Sequence, residues 1–358
     1  MTFDIAVIGA GLAGLTSAAQ LQQAGYDVVV VEKSRGVGGR VATRRIPGYR
    51  ADLGARYLEE TGRLLPLLLE ILRDRQVVRL WTDTRHRWDS ELILETPLEP
   101  PSPRYIAPDG MNAIGKFLGR GMRVWFSRRA VRLAPQADDT WHLSLETVAE
   151  GSNAAIELTA KAVIVATPAP QAVEILGNTA QIPEEFRQNL TAVEYDPCIT
   201  AIAKYPSDRQ LPDWVSVDFP PDTDLLWVGL DSSKRPDAQQ PVFVVHSSAD
   251  FARSHLDTAN LESAGRQLLD RAASYLLPWL SEPKFLQVHR WRYAFTSKSW
   301  YRDCLATATP LPLVCCGDWC GTQQIETALR SGLAAASIIN SQLQQEVLNP
   351  IRQVWRSL

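Results

Sequence analysis

Hydrophobic positions at the amino terminus change period twice within 33 residues. Ile5-Ala6-Val7-Ile8 is an unbroken apolar run of strand length. Leu12, Leu15, Ala18, Ala19 and Leu21 then recur at helical spacing, and Gly25 supplies a stop. Residues 28–31 form a second unbroken apolar run, with Glu32 at its end. This order predicts strand, glycine turn, helix, strand, acid. Similar apolar runs predict strands at 124–126, 141–145, 162–166, 242–246 and 286–292, and helices at 64–72, 261–277 and 328–343. Pro97, Pro100, Pro101 and Pro103 exclude a helix or a central strand over 95–104, which predicts a crossing between domains. A second polar, proline-bearing loop is expected over 232–241. The expected fold is α/β.

The turn after the first strand reads Gly9-Ala10-Gly11-Leu12-Ala13-Gly14. Gly9 allows a tight turn, Gly11 lets backbone approach a pyrophosphate, and Gly14 lets helix and strand pack closely. The helix start presents unpaired N–H groups and partial positive charge to phosphate. Glu32 lies 18 positions beyond Gly14. An acid there accepts ribose hydroxyls and repels a 2'-phosphate, which favours FAD or NAD over NADP in this slot. Shortly after it comes Arg35-Gly36-Val37-Gly38-Gly39-Arg40. A plain NAD dehydrogenase has no use for this second glycine loop, in which Arg40 offers a fixed cation to a pyrophosphate. Arg44, Arg45 and Arg50 follow, as cofactor neighbours or as a solvated basic loop.

Composition narrows the class. The chain has 358 residues, 45% hydrophobic and 22% charged, with a formal charge of −3. This is globular composition, without the basic excess that nucleic acid or an anionic membrane attracts. Five cysteines are too few and too odd for a disulfide scaffold, so a reducing, cytoplasmic setting is expected. No uncharged apolar run reaches the roughly 20 residues of a membrane span. No HExxH, paired-ligand zinc spacing or Ser-His-Asp set is visible, and neither a metal nor a catalytic nucleophile is expected.

DIAVIGAGLAGL, EKSRGVGGR and ADLGARYL at 51–58 resemble the FAD-dependent amine oxidase superfamily. YIAPDGMNAI at 105–114, LDSSKRP at 230–236, VFVVHSSADF at 242–251 and VHRWRYA at 288–294 resemble its renalase-like branch, and VIVATPAPQA at 163–172 resembles the strand and turn that close the FAD domain. CCGDWCG at 315–321 resembles the terminal Gly-Asp motif. The resemblance covers roughly residues 3–340. It implies a Rossmann-type FAD-binding domain from 1–58, 104–170 and 285–358. A substrate domain of antiparallel sheet with helices would come from 59–103 and 171–284.

The resemblance implies non-covalent FAD held by Gly9, Gly11, Leu12, Ala13, Gly14, Glu32, Lys33, Gly38, Gly39, Arg40, Gly54, Ala55, Arg56, Tyr57, Val131, Thr167, Gly317, Asp318 and Ile325. Thr327 departs from the glycine that often follows Glu326 in the superfamily. Cys315, Cys316 and Cys320 do not match the family's flavin-bonding cysteine and are expected to pack in the core.

For the substrate side, His246, Tyr57 and Trp291 are the candidates, with Trp227 and Tyr293 as further aromatic walls. His246 either faces the flavin or is a buried structural histidine. Lys234, Arg235 and Arg292 are either phosphate ligands or exposed loop cations. The implied activity is hydride removal from 2- or 6-dihydro-NAD(P) to flavin N5, with dioxygen reoxidising the flavin to give hydrogen peroxide. An amine oxidase or desaturase, and a non-catalytic or electron-transfer flavoprotein, are the alternatives.

Overall fold

Strands β1 (Thr2–Ile8) and β2 (Val28–Val31) run parallel, joined by helix α1 (Leu12–Gln23). This comes from a computed structural model that describes residues 2–89, 92–96, 103–148, 156–177, 179 and 181–358. Both strands are buried on both faces through most of their length, as their unbroken apolar runs require. The eight-stranded sheet continues through Ile156–Val165, which pairs parallel with β1 and antiparallel with Trp141–Thr147. Its sequence records that change of partner. Burial alternates up to Lys161 and is then continuous from Ala162 to Val165, where strands flank it on both sides.

A second, seven-stranded sheet runs in the order Phe285–Lys298, Glu194–Lys204, Val242–Ser247, Leu225–Leu230, Ser216–Asp218, Arg85–Asp89, Leu92–Thr96. Only the contact between Ser216–Asp218 and Arg85–Asp89 is parallel. Helix Leu261–Tyr275 covers its outer face, where Gly265 lies so close that a Cβ would meet Val288 Cγ2 at 2.2 Å. Its inner face, with Ile202, Trp227, Val242 and Val244, packs on Ile46, Ala51 and Leu53 of the first unit. Among the described residues, no helix is long and apolar enough to cross a membrane.

The two sheets divide the chain differently from the sequence expectation. Strand Phe285–Lys298 pairs along Glu194–Lys204 and belongs to the second sheet, so the boundary lies after this strand and not before it at 285. Helix α2 (Leu64–Asp74), expected in the substrate domain, buries Leu65, Leu68, Leu69, Ile71 and Leu72 in the first core. Ala169–Leu176 and Glu184–Thr191, mostly assigned to that domain, likewise pack on the first sheet. Apolar stripes reveal that these helices are amphipathic but not which sheet they cover. Of the expected proline crossing, Pro97, Pro100 and Pro101 lie outside the described residues.

The amino end of α2 has no local side-chain cap. Glu326, far along the chain on the last helix (Gln324–Gln342), fills that role. Its carboxylate accepts from the N–H groups of Arg63, Leu64 and Leu65 at 2.7 to 3.1 Å. Three otherwise orphaned donors are thus satisfied by a buried charge. Glu326→Ala is expected to lower unfolding free energy by about 2 kcal/mol, read as a shifted urea midpoint at constant slope.

Candidate cofactor and substrate site

The glycine turn is built as a cradle. Gly9 has φ +105°, and a Cβ there would meet the Ala166 carbonyl oxygen at 2.7 Å. A Cβ on Gly14 would lie 2.0 Å from the Gly9 oxygen. Those two glycines are needed for packing. Gly11 is different, because its Cβ would meet nothing within 4 Å. The space beside Gly11 is therefore open, at the start of α1, where no side chain caps the helix. Gly11 bridges Gly38 of the second loop, and Gly38 N–H donates to the Ala10 carbonyl at 2.8 Å. An uncapped helix start beside an open glycine suits the pyrophosphate of an extended dinucleotide.

Glu32 is 7% exposed. Its Oε2 accepts from Ala10 N–H and its Oε1 from Ser34 N–H, both at 2.8 Å. These bonds fix the carboxylate and leave each oxygen a further acceptor position for a ribose. Val131 is the extra residue of a bulge, since pairing passes from Ala130 with Leu145 directly to Arg132 with Ser144. Its backbone is thereby released from the ladder. Lys33 is exposed and donates to Gln171 Oε1 at 3.3 Å.

Arg40 and Asp318 meet at 2.6 Å, although 278 positions apart. Arg40 also donates to the Tyr293 carbonyl at 3.2 Å and the Ala294 carbonyl at 3.4 Å. A Cβ on Gly317 would lie 2.6 Å from Trp319 Nε1, whose N–H donates to the Thr167 carbonyl at 3.1 Å. Gly54 crosses the Arg40 backbone, where a Cβ would sit 1.9 Å from the Arg40 oxygen, and Ala55 N–H donates to that oxygen at 2.8 Å. The fold thus gathers Gly38, Gly39, Arg40, Gly54, Ala55, Gly317 and Asp318 from three distant segments.

Ile325 lies in the first turn of the last helix. A Cβ on Gly332 of this helix would lie 2.4 Å from the Ala13 oxygen, so the helix crosses α1 closely. Thr327, the departure noted above, turns inward. Its Oγ1 accepts from Gln323 N–H at 3.1 Å and serves the helix's own first turn. A hollow of about 180 Å³ opens beside it, lined by Tyr301, Gly321, Gln323 and Arg330 among others.

Lys234 and Arg235 are not phosphate ligands on an open loop. They are buried with Asp52 and Asp231 in a charge quartet, with contacts of 3.4, 2.9, 3.0 and 2.8 Å. Burial opposes charge on Asp52. Lys234 and Arg235, the N–H of Met111 and the hydroxyl of Thr43 outweigh it and hold its carboxyl below the usual range. Arg292 lies at the surface and pairs with Asp257. Charges 179 to 183 positions apart meet only because the 51–57 segment lies against the second sheet, a pairing with no local sequence signal.

The segment after Asp52 carries the substrate-side candidates. The Leu53 carbonyl accepts from Trp291 Nε1 at 3.2 Å and from Thr200 Oγ1 at 3.1 Å. The resemblance assigned Arg56 to the cofactor, but its side chain turns to the second sheet. Its Nε donates to His246 Nδ1 at 3.2 Å, and it pairs with Asp218 at 3.6 Å. Tyr57 lies under the Arg104 guanidinium, 4.3 Å away, and beside Trp81. His246 is buried, 5.4 Å from Trp227 between ring centroids. Burial, then Arg56 and Lys234, hold its pKa well below the ordinary histidine value. Asp218, which also receives Arg85 and Arg104, was not found from the sequence. All five cysteines are free, and four of them are buried. Burial pushes the Cys320 thiol up to about 12 and the Cys315 and Cys316 thiols well above their usual value, so they are neutral core groups.

Lys234→Met leaves two buried carboxylates with one cation, and is expected to cost about 3–5 kcal/mol in chemical denaturation. His289 supplies a pH test. Burial, then Arg44, lower its pKa to about 4. Between 4 and about 6.5 the unfolded chain binds a proton on this residue that the folded chain refuses. Its contribution is thus full above 6.5 and is lost as pH falls toward 4. His289→Asn is expected to flatten the fall in melting temperature over that window.

Residues 7–73 match the NAD(P)-binding Rossmann-like domain family, and residues 101–340 match the flavin containing amine oxidoreductase family. A putative flavin-containing monoamine oxidase of Mycobacterium tuberculosis is 43% identical over 60 residues, 17% of this chain and 13% of that protein. Gamma-glutamylputrescine oxidoreductase of Escherichia coli is 38% identical over 85 residues, 21% of this chain and 20% of that protein. These curated relatives are therefore matched over a fifth of their length or less. Wild-type putrescine oxidase superposes with a TM-score of 0.69 at 16% identity, over 95% of this chain and 99% of that one. Cyclohexylamine oxidase from Brevibacterium oxydans gives 0.70 at 14% identity, over 96% and 99%. The Rossmann cradle, the sheet-rich second unit and a family match over two thirds of the chain lead to one conclusion: the chain belongs to the flavin-containing amine oxidoreductase family.

Proposed function

We propose that this protein is a renalase-like oxidase that takes hydride from 2- or 6-dihydro-NAD(P). The observation that carries the reading is a neutral His246 bonded to Arg56 and flanked by Lys234. An amine arrives mostly as ammonium, must lose a proton, and meets cations on this face. A dihydronicotinamide needs no proton removed, because its ring becomes aromatic on losing hydride.

Bound FAD supplies the two-electron acceptor, receiving hydride at N5 and delivering electrons to dioxygen as hydrogen peroxide. The chain's part is to bind, orient and keep dry. Leu12, Ala13 and Gly14 would direct N–H groups, and Arg40 a cation, at the pyrophosphate. Glu32 would take a ribose, the released Val131 backbone the adenine edge, and Asp318 a ribityl hydroxyl. The N–H groups at Ile325 would face the pyrimidine edge. Gly39, Gly54 and Thr167 would let backbone pass close to the cofactor. Tyr57, Trp227 and Trp291 would wall the substrate and exclude water. With every thiol protonated and four of the five buried, non-covalent attachment is part of the proposal. Free thiols also fit a reducing compartment.

The amine oxidase reading is supported by the fold shared with putrescine and cyclohexylamine oxidases. Anaerobic mixing separates the two. Loss of the flavin's visible absorbance with 2- or 6-dihydro-NAD(P), and not with alkylamines, is the expected result. Reduction by amines alone rejects the proposal. A second measurement concerns the cradle. Gly11→Val, whose side chain enters open space, is expected to fold normally and lose most bound FAD. Gly14→Val is expected to unfold, because of the Gly9 backbone. Full flavin content in Gly11→Val contradicts the cradle assignment.

A further inference from the structure

The inner face of the second sheet holds two buried ring nitrogens without a well-formed hydrogen bond, the Leu53 backbone beside His246 being already bonded twice. His246 Nε2 and Trp227 Nε1 are both buried without a hydrogen-bond partner. His246 is 3% exposed and Trp227 0%. The residues are partners on adjacent strands, with ring planes inclined at 46°.

Arg56 decides what His246 offers. A guanidinium only donates, so the His246 Nδ1 that receives it must carry the lone pair. The single proton of the neutral ring then sits on Nε2. Arg56 is itself held by Asp218 and lies over the Trp227 ring at 5.3 Å. An indole Nε1 is likewise a donor only. Both orphaned atoms are therefore uncharged N–H donors. The backbone acceptor beside His246, the Leu53 carbonyl, already takes Trp291 and Thr200. A buried donor pair of this kind rejects ligands that bring only donors and rewards an oxygen acceptor.

We propose that His246 Nε2–H and Trp227 Nε1–H bind a carbonyl oxygen on the substrate's planar ring, the carboxamide oxygen in the case of a dihydronicotinamide. The choice of that carboxamide rests on the functional reading above. The donor pair itself follows from the Arg56 contact. Arg56 is a positioning residue, fixing the tautomer through Asp218, and the two rings determine specificity.

The test titrates the oxidised holoenzyme with nicotinamide and with 3-methylpyridine, its counterpart without the oxygen, followed through the flavin spectrum. Nicotinamide is expected to bind at least about tenfold more tightly. The difference should vanish in His246→Leu, return largely in His246→Gln, and shrink in Trp227→Phe. Nitrogen NMR of histidine-labelled protein should show His246 protonated at Nε2 and not titrating between about pH 5.5 and 8. Arg56→Met should release the other tautomer. Equal binding of the two ligands, no saturation by nicotinamide, or an undiminished difference in His246→Leu would each overturn the proposal. So would a flavin spectrum altered in His246→Leu before any ligand is added, with the ligand difference intact, since the donors would then serve a flavin carbonyl. If dihydro-NAD(P) isomers fail to reduce the flavin while nicotinamide still depends on His246, the donor pair stands and only the substrate assignment falls.

Discussion

The passage of residues 51–57 between the two sheets is the constraint on which the site depends. Asp52 enters the buried charge quartet, the Leu53 carbonyl takes Trp291 and Thr200, Gly54 crosses Arg40, and Arg56 reaches His246 and Asp218. One short stretch therefore fixes the cofactor cradle against the face that looks onto it. None of these contacts allows much slack. The quartet is fully desolvated, so any shift that separates its members exposes an unpaired charge to a low-dielectric interior. Gly54 has no room for even one added carbon.

The electrostatics of the substrate side follow from the same passage. Buried cations near His246 are each matched by carboxylates: Lys234 and Arg235 by Asp52 and Asp231, Arg104 by Glu59 and Asp218. The region is thus nearly neutral in sum yet strongly patterned. His246 lies on the cationic side of that pattern and stays unprotonated.

Long-range capping is the second theme. Glu326 holds the start of α2, Ser331 Oγ accepts from Gly317 N–H at 2.9 Å, and Gly332 lets the last helix cross α1. The final helix thereby ties the Gly317-Asp318 turn, the cradle helix and α2 together. Substitution of the usual glycine by Thr327 fits this arrangement, because its hydroxyl closes the helix start that it borders.

Local sequence determined the β1–α1–β2 crossover, the open position at Gly11, the acid at the end of β2 and the strands that carry unbroken apolar runs, but not Glu194–Lys204 at the centre of the second sheet's pairing. In each case the signal is short-range: apolar period, glycine spacing, or the residue that ends a strand. The tertiary structure alone decided which sheet receives α2 and Phe285–Lys298, since an apolar stripe does not name its partner. It also turned Lys234 and Arg235 from apparent loop cations into buried ion-pair members, and Arg56 from a cofactor neighbour into the residue that sets the His246 tautomer. Those roles depend on charges more than 100 positions apart becoming desolvated together, and no spacing along the chain encodes that.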